Sequence, residues 1–189
     1  MRALIDAHPD FDPRAWLAEL PQMDAFGALV FQIVGQQLSV QATRRILARL
    51  EDRFDGRLPT PQQVLAADPD VLRAAGLSRR KAQTIRTLAA AFAEGQLSDA
   101  ALRAASDANV ETRLTAIPGI GPWTVHGFLI IALDRDDVVL PGDLALRRAI
   151  QRSYGLDHLP SQDEVRQIAE PWRPYRSLAS AYLFATAYD

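Results

Sequence analysis

The sequence predicts an all-α fold, on three observations. Apolar residues recur at helical spacing along most of the chain; Phe26, Leu29, Val30, Ile33 and Val34 fall at i, i+3, i+4, i+7 and i+8. Residues that start and stop helices punctuate these runs. The only β-like run, Val138 to Leu140, is too short to build a sheet.

Each element follows from local signals. Gly35 breaks the first apolar run, and Ser39 then caps a helix carrying Val40, Thr43, Leu47 and Leu50 inward. Asp68-Pro69 pairs an N-cap with proline at the first helical position, and Gly76 fits the stop. Ser78 opens a helix with Ile85, Leu88, Ala89 and Phe92 inward, which Gly95 closes. Asn109 and Gly121-Pro122 are two further starts, so residues 109–133 read as a helix, a tight hairpin and a second helix. Trp123 to Leu133 is apolar nearly all round, the mark of a buried helix. Ser161 and Glu164 have capping-box spacing, and a last helix from about Pro174 carries Leu178, Tyr182 and Leu183 on one side.

Composition narrows the function classes. At 189 residues and 48% hydrophobic, the chain can bury one core, or two closely packed lobes. The absence of cysteine excludes disulfides, thiolate metal sites and iron–sulfur clusters. No apolar run suits a signal peptide or reaches the ~20 residues of a membrane span, so a cytoplasmic protein is expected. With a net charge of −2, any phosphate binding must come from local patches.

Two motifs carry the chemistry. Ile117-Pro118-Gly119-Ile120-Gly121-Pro122-Trp123-Thr124 reads as a turn whose glycines permit close backbone approach and whose N–H groups can dock one phosphate. Such a turn alone is usually only a sharp corner. Leu140-Pro141-Gly142-Asp143 follows, with Asp143 twenty-two residues past Gly121. Asp143 is placed as an ordinary N-cap, where the helix dipole stabilises a carboxylate. A carboxylate kept ionised in this way is also available for chemistry, so a cap and a reactive group can be the same residue.

With these residues together, the chain resembles the helix-hairpin-helix DNA glycosylases, and most closely their 3-methyladenine DNA glycosylase II, or alkylpurine, branch. The resemblance runs from about Asp24 to Phe184 and includes Gly76-Leu-Ser-Arg-Arg-Lys-Ala and Trp172-Arg-Pro-Tyr-Arg-Ser. It implies one glycosylase domain of two helical lobes, 1–35 with 144–189 and 36–143, with a cleft at Asp143. It also implies that the N-terminal β subdomain of larger members is lacking. The implied reaction is hydrolytic excision of an alkylated purine flipped out of duplex DNA.

In that resemblance Asp143 is the catalytic carboxylate. Trp123, Phe184, Gly127 and His126 belong to the base pocket, Phe184 and Gly127 standing where the best-known member has Trp and Tyr. Trp123 stands where lyase-type members carry a nucleophilic lysine, which implies a monofunctional enzyme using water. Pro118, Gly119, Ile120, Gly121 and Thr124 form the DNA-binding hairpin. The minor-groove wedge falls position for position on Gln37, with Leu38 the adjacent apolar choice. Arg79, Arg80, Lys81 and Arg148 are the phosphate contacts, although charge runs are more often solvated faces.

No organic cofactor is implied; a monovalent cation on hairpin carbonyls is compatible with the resemblance. Asp134, Asp136 and Asp137 lack the pattern of a calcium loop and read as a turn. The expected partner is damaged double-stranded DNA, bound by a monomer. Two alternatives stay open: a glycosylase for another lesion (hypoxanthine, ethenoadenine or uracil), and a helix-hairpin-helix DNA-binding module without catalysis.

Overall fold

A computed structural model describes residues 1–185 of the chain. Its regular elements among those residues are all helical. They are α1 (Arg2–Ala7), α2 (Ala25–Gly35), α3 (Val40–Arg53), α4 (Pro61–Ala66), α5 (Pro69–Ala74), α6 (Arg79–Ala93), α7 (Asp99–Ala104), α8 (Asp107–Thr115), α9 (Pro122–Leu133), α10 (Leu144–Tyr154), α11 (Gln162–Ala169) and α12 (Arg176–Ala185). Short 3-10 turns at Ala15–Glu19 and Glu170–Trp172 complete the set.

The chain forms two compact units, Met23–Phe128 and Met1–Gln22 with Leu129–Asp189. The division differs from lobes split at 35 and 144. Helix α2 packs on α3, α6 and α7, so it belongs with Met23–Phe128. Its residues Ala25 to Val34 are buried apart from a half-buried Phe31, and a helix apolar on all sides needs neighbours on all sides. Phe26, Leu29, Ile33, Ile85, Leu88, Leu114 and Phe128 lie at the centre of that unit, and each such burial contributes about 1.5–3 kcal/mol.

The other unit is built on Leu140, Leu146, Ile150, Val165, Trp172 and Leu183. The indole N–H of Trp172 donates to the Tyr154 hydroxyl at 3.1 Å, satisfying the one polar atom of a buried ring.

Most caps stand where the sequence puts them. The side chains of Ser39, Asp68, Ser78 and Asp143 each accept a backbone N–H of the following turn, and Ser161 and Glu164 form both bonds of a capping box. Three expectations are corrected. The first hairpin helix starts at Asp107, because Ser106 accepts the N–H of Asn109 at 3.4 Å and caps the helix before that residue is reached. Val40 is 70% exposed, since the first residue of α3 precedes its buried face of Thr43, Leu47 and Leu50. The last helix begins at Arg176, and its buried side is Ser177, Ala179, Ser180, Ala181 and Leu183, with Leu178 and Tyr182 only half-buried.

Candidate functional site

The α8–α9 hairpin is a tight turn closed by the N–H of Ile120 on the carbonyl of Ile117 at 3.1 Å. Gly119 adopts φ +96°, a region that side chains rarely occupy, and a Cβ there would stand 2.1 Å from Thr84 Oγ1. That hydroxyl lies 2.9 Å from the carbonyl of Pro118 and 3.0 Å from that of Arg80, so α6 fastens the turn from below. Gly121 differs: its φ is not positive, and a Cβ would meet nothing within 4 Å. The N–H groups of Gly119 and Gly121 find no acceptor among the described residues. Two nearby unpartnered amides at a helix start make a receptive place for an anion.

The α2–α3 turn is tied to the same hairpin. The Gln36 side-chain amide donates to the Gly119 carbonyl at 3.0 Å and to Thr124 Oγ1 at 2.9 Å. Lys81 Nζ donates to the carbonyls of Val34 at 2.8 Å and Gln36 at 2.7 Å, capping the end of α2. Burial holds the Lys81 pKa below its ordinary value. Between these anchors Gln37 takes φ +55°, a left-handed conformation that costs a non-glycine residue about 1–2 kcal/mol. Gln37 and Leu38 are both exposed at the tip.

Helix α9 carries Trp123 in its first turn, 36% exposed. His126 Nε2 lies 3.8 Å from Glu111 Oε2 of α8, across the hairpin. Gly127 is buried, and a Cβ on it would come within 2.6 Å of Gln32 Oε1.

In the other unit, Asp143 is half-buried and caps α10, its Oδ1 accepting the N–H of Leu146 at 2.9 Å. The Pro141-Gly142 turn before it is closed by the Asp143 N–H on the Leu140 carbonyl at 3.0 Å. Leu140 and Leu146, on either side of the turn, are core residues, so the capping carboxylate stands on a rigid base. Phe184 packs half-buried against that core. Arg147 Nε donates to the Pro160 carbonyl at 2.7 Å, whereas Arg148 is exposed.

The acids after α9 are a turn. Asp136 pairs with Arg14, and Asp137 accepts from Arg173 at 2.6 Å and from Arg176 at 2.7 Å. No metal-binding group of three or more His, Cys, Asp or Glu occurs among the described residues.

Comparison with known proteins matches residues 30–174 to the model of the HhH-GPD superfamily base excision DNA repair proteins. The chain belongs to that superfamily. It is 32% identical to DNA-3-methyladenine glycosylase 1 of Schizosaccharomyces pombe over 89% of its length and 75% of the relative's. It is 34% identical to DNA-3-methyladenine glycosylase 2 of Escherichia coli over 87% of its length, spanning 58% of that protein. Its structure resembles that of the S. pombe 3-methyladenine DNA glycosylase solved in complex with abasic DNA, with a TM-score of 0.85, 28% identity and coverage of 100% of this chain and 98% of the other.

In this superfamily member, the fold changes one of the side-chain roles expected from the residues alone. Lys81 is not a surface phosphate ligand, because its ammonium is bound to two carbonyls at the end of α2. Beside Gly127 the space is floored by the Gln32 carboxamide. Arg79, Arg80 and Arg148 remain exposed.

Three residues that shape the site carry no motif of their own. Thr84 and Gln36 hold the hairpin, and Gln32 lies against Gly127. A glutamine inside an otherwise apolar helix is the one sequence signal for Gln32.

Proposed function

We propose that this protein is a monofunctional DNA glycosylase that excises alkylated purines, of the 3-methyladenine and 7-methylguanine type, from duplex DNA in base excision repair. The names of its relatives and their coverage support the substrate class. One observation carries the monofunctional reading. The chain has a single lysine, Lys81, and its amine is engaged at the end of α2, while an indole stands at Trp123. Schiff-base chemistry needs a free amine, so water is the nucleophile.

Each residue then has a task. The Asp143 carboxylate stabilises the developing sugar cation and the attacking water. Trp123 and Phe184 offer ring faces to a cationic base, worth ~0.5–2 kcal/mol for each favourable stack. The free amides of Gly119 and Gly121 take one backbone phosphate, and Arg79, Arg80 and Arg148 take others. Gln37, with Leu38 beside it, fills the gap left by the extruded nucleotide.

Hydrolysis consumes only water, so the proposed reaction has no organic cofactor. A monovalent cation at the hairpin would have to share oxygens already used, since the Pro118 and Gly119 carbonyls accept from Thr84 and Gln36. The enzyme acts as a monomer in the cytoplasm. Among the described residues no helix is long and apolar enough to cross a membrane.

The test is a panel of duplexes, each with one lesion, assayed for free base and then for strand breaks before and after alkali. Release of alkylpurine with breaks only after alkali is expected. Breaks without alkali, trapped as a covalent adduct by borohydride, would overturn the monofunctional assignment.

A further inference from the structure

We propose that Gln32 determines lesion specificity: its carboxamide, set on the Trp123 face of α9 in the space Gly127 leaves, reads the hydrogen-bonding edge of the extruded base. This rests on the glycosylase reading above and on Trp123 being its stacking surface.

Gln32 lies in the apolar helix α2 between Phe31 and Ile33 and is only 5% exposed. Its side chain makes no hydrogen bond among the described residues, yet its amide atoms are not sealed away from solvent. An amide set in an apolar helix with no protein partner is unfavourable unless water or a ligand meets it. An apolar residue of similar size would fill the same position without that cost, so the amide calls for an outside partner.

Gly127 is what makes the placement work. A Cβ at that position would stand 2.6 Å from Oε1, 2.9 Å from Cδ and 3.0 Å from Nε2 of Gln32, so any larger residue would displace the carboxamide. Trp123 and Gly127 are four residues apart on α9 and share one face of the helix. The ring and the amide therefore stand one helical turn apart. The indole can stack on any purine, whereas the amide offers one acceptor and two donors.

That pair of groups complements a base edge with a donor beside an acceptor. Guanine-type and hypoxanthine edges present O6 next to N1–H; the edge of 1,N6-ethenoadenine is closed by its extra ring and has no donor. A site built to hydrogen-bond its substrate discriminates against the analogue lacking the group, because the site's polar atoms are left unpaired.

Single-turnover release from duplexes holding 7-methylguanine, hypoxanthine or 1,N6-ethenoadenine tests this in the full chain. Gln32→Leu should lower release of the first two by about tenfold or more relative to ethenoadenine. Its melting temperature should equal or exceed wild type, which separates lost recognition from lost folding. Gly127→Ala should shift the same ratio, and the double variant should be no worse than either, as expected when both act through one contact.

Equal loss on all three lesions, or an unchanged ratio in a folded Gln32→Leu protein, would overturn the assignment while leaving the glycosylase reading intact. Wild-type protein that releases none of the three, and no 3-methyladenine either, would overturn both.

Discussion

Thr84 and Gly119 share one space: the threonine hydroxyl lies where a side chain on Gly119 would begin, 2.1 Å from the position of its Cβ. The same hydroxyl is 2.9 Å from the Pro118 carbonyl, so the close approach is also the fastening of the hairpin to α6. Gly121, two residues on, has neither constraint. The two glycines of the motif therefore have different jobs.

Gly119→Ala should destabilise the protein by about 1–3 kcal/mol, from its positive φ and the contact with Thr84. Gly121→Ala should stay within about 0.5 kcal/mol of wild type. It should still weaken abasic-DNA binding if a phosphate approaches its amide. Urea unfolding and fluorescence anisotropy measure the two effects. A Gly119→Ala protein as stable as wild type would contradict the tight packing.

Gln36→Leu should cost abasic-DNA affinity beyond any change in stability. The substitution leaves the Gly119 carbonyl and the Thr124 hydroxyl without their donor, and it unties the Gln37 turn from the hairpin. Unpaired polar groups cost about 1–3 kcal/mol when buried, and these part-buried ones should fall toward the low end. Affinity that simply tracks melting temperature would make Gln36 a structural link only.

Helix positions and caps are legible in the sequence because they rest on local chemistry: Ser39, Ser78 and Ser161 each need only the next turn's N–H groups. The short helices are harder to see, because six residues leave too few turns for an apolar period; α4 and α7 are betrayed only by their caps, Thr60 and Ser98. The hairpin is legible from its glycines, but not the difference between them, which depends on Thr84, thirty-five residues away. Lys81 reads as one of three adjacent cations; only the fold brings the end of α2 within reach of its amine. Partnering across long sequence separation leaves no local trace.

Stability should show a pH window set at the start of α11. Glu164 accepts the N–H of Ser161 at 2.7 Å and lies 2.8 Å from His158 Nε2, and these contacts hold its carboxyl at about 2. A lowered carboxylate stabilises the fold above its ordinary value of 4.5 and loses that contribution as pH falls toward about 2. His158, raised by Asp157 and then Glu164, contributes fully below its ordinary 6.5 and loses the contribution as pH rises through its raised value. The cluster therefore helps most between 4.5 and 6.5. Subtracting the melting curve of Glu164→Gln from wild type across pH should reveal both limbs. A difference independent of pH would refute the linkage.

Salt should weaken DNA binding by only a few phosphates' worth of slope, each about −0.9 in log–log units, because the net charge is −2 and local patches must supply the contacts. Arg79→Ala and Arg148→Ala should each reduce the slope by roughly one phosphate. Lys81→Met should leave the slope unchanged and lower stability instead, since its ammonium serves two carbonyls. A slope near zero on abasic duplex would sink the DNA-binding reading.

Asp143→Asn separates the two roles of that side chain. Asparagine caps a helix about as well as aspartate, and its amide oxygen can still accept the Leu146 N–H, so folding and lesion-DNA binding should largely survive. What disappears is the negative charge facing the sugar as positive charge develops there. Loss of one preorganised electrostatic contact typically costs ~3–4 kcal/mol of transition-state stabilisation, or roughly 10²–10³ in the single-turnover excision rate. The loss should be smaller for cationic 7-methylguanine, whose glycosidic bond is already weakened, than for a neutral lesion, whose departure depends more on the carboxylate. A well-folded Asp143→Asn protein that excises every active substrate at the wild-type rate would leave Asp143 as a helix cap alone.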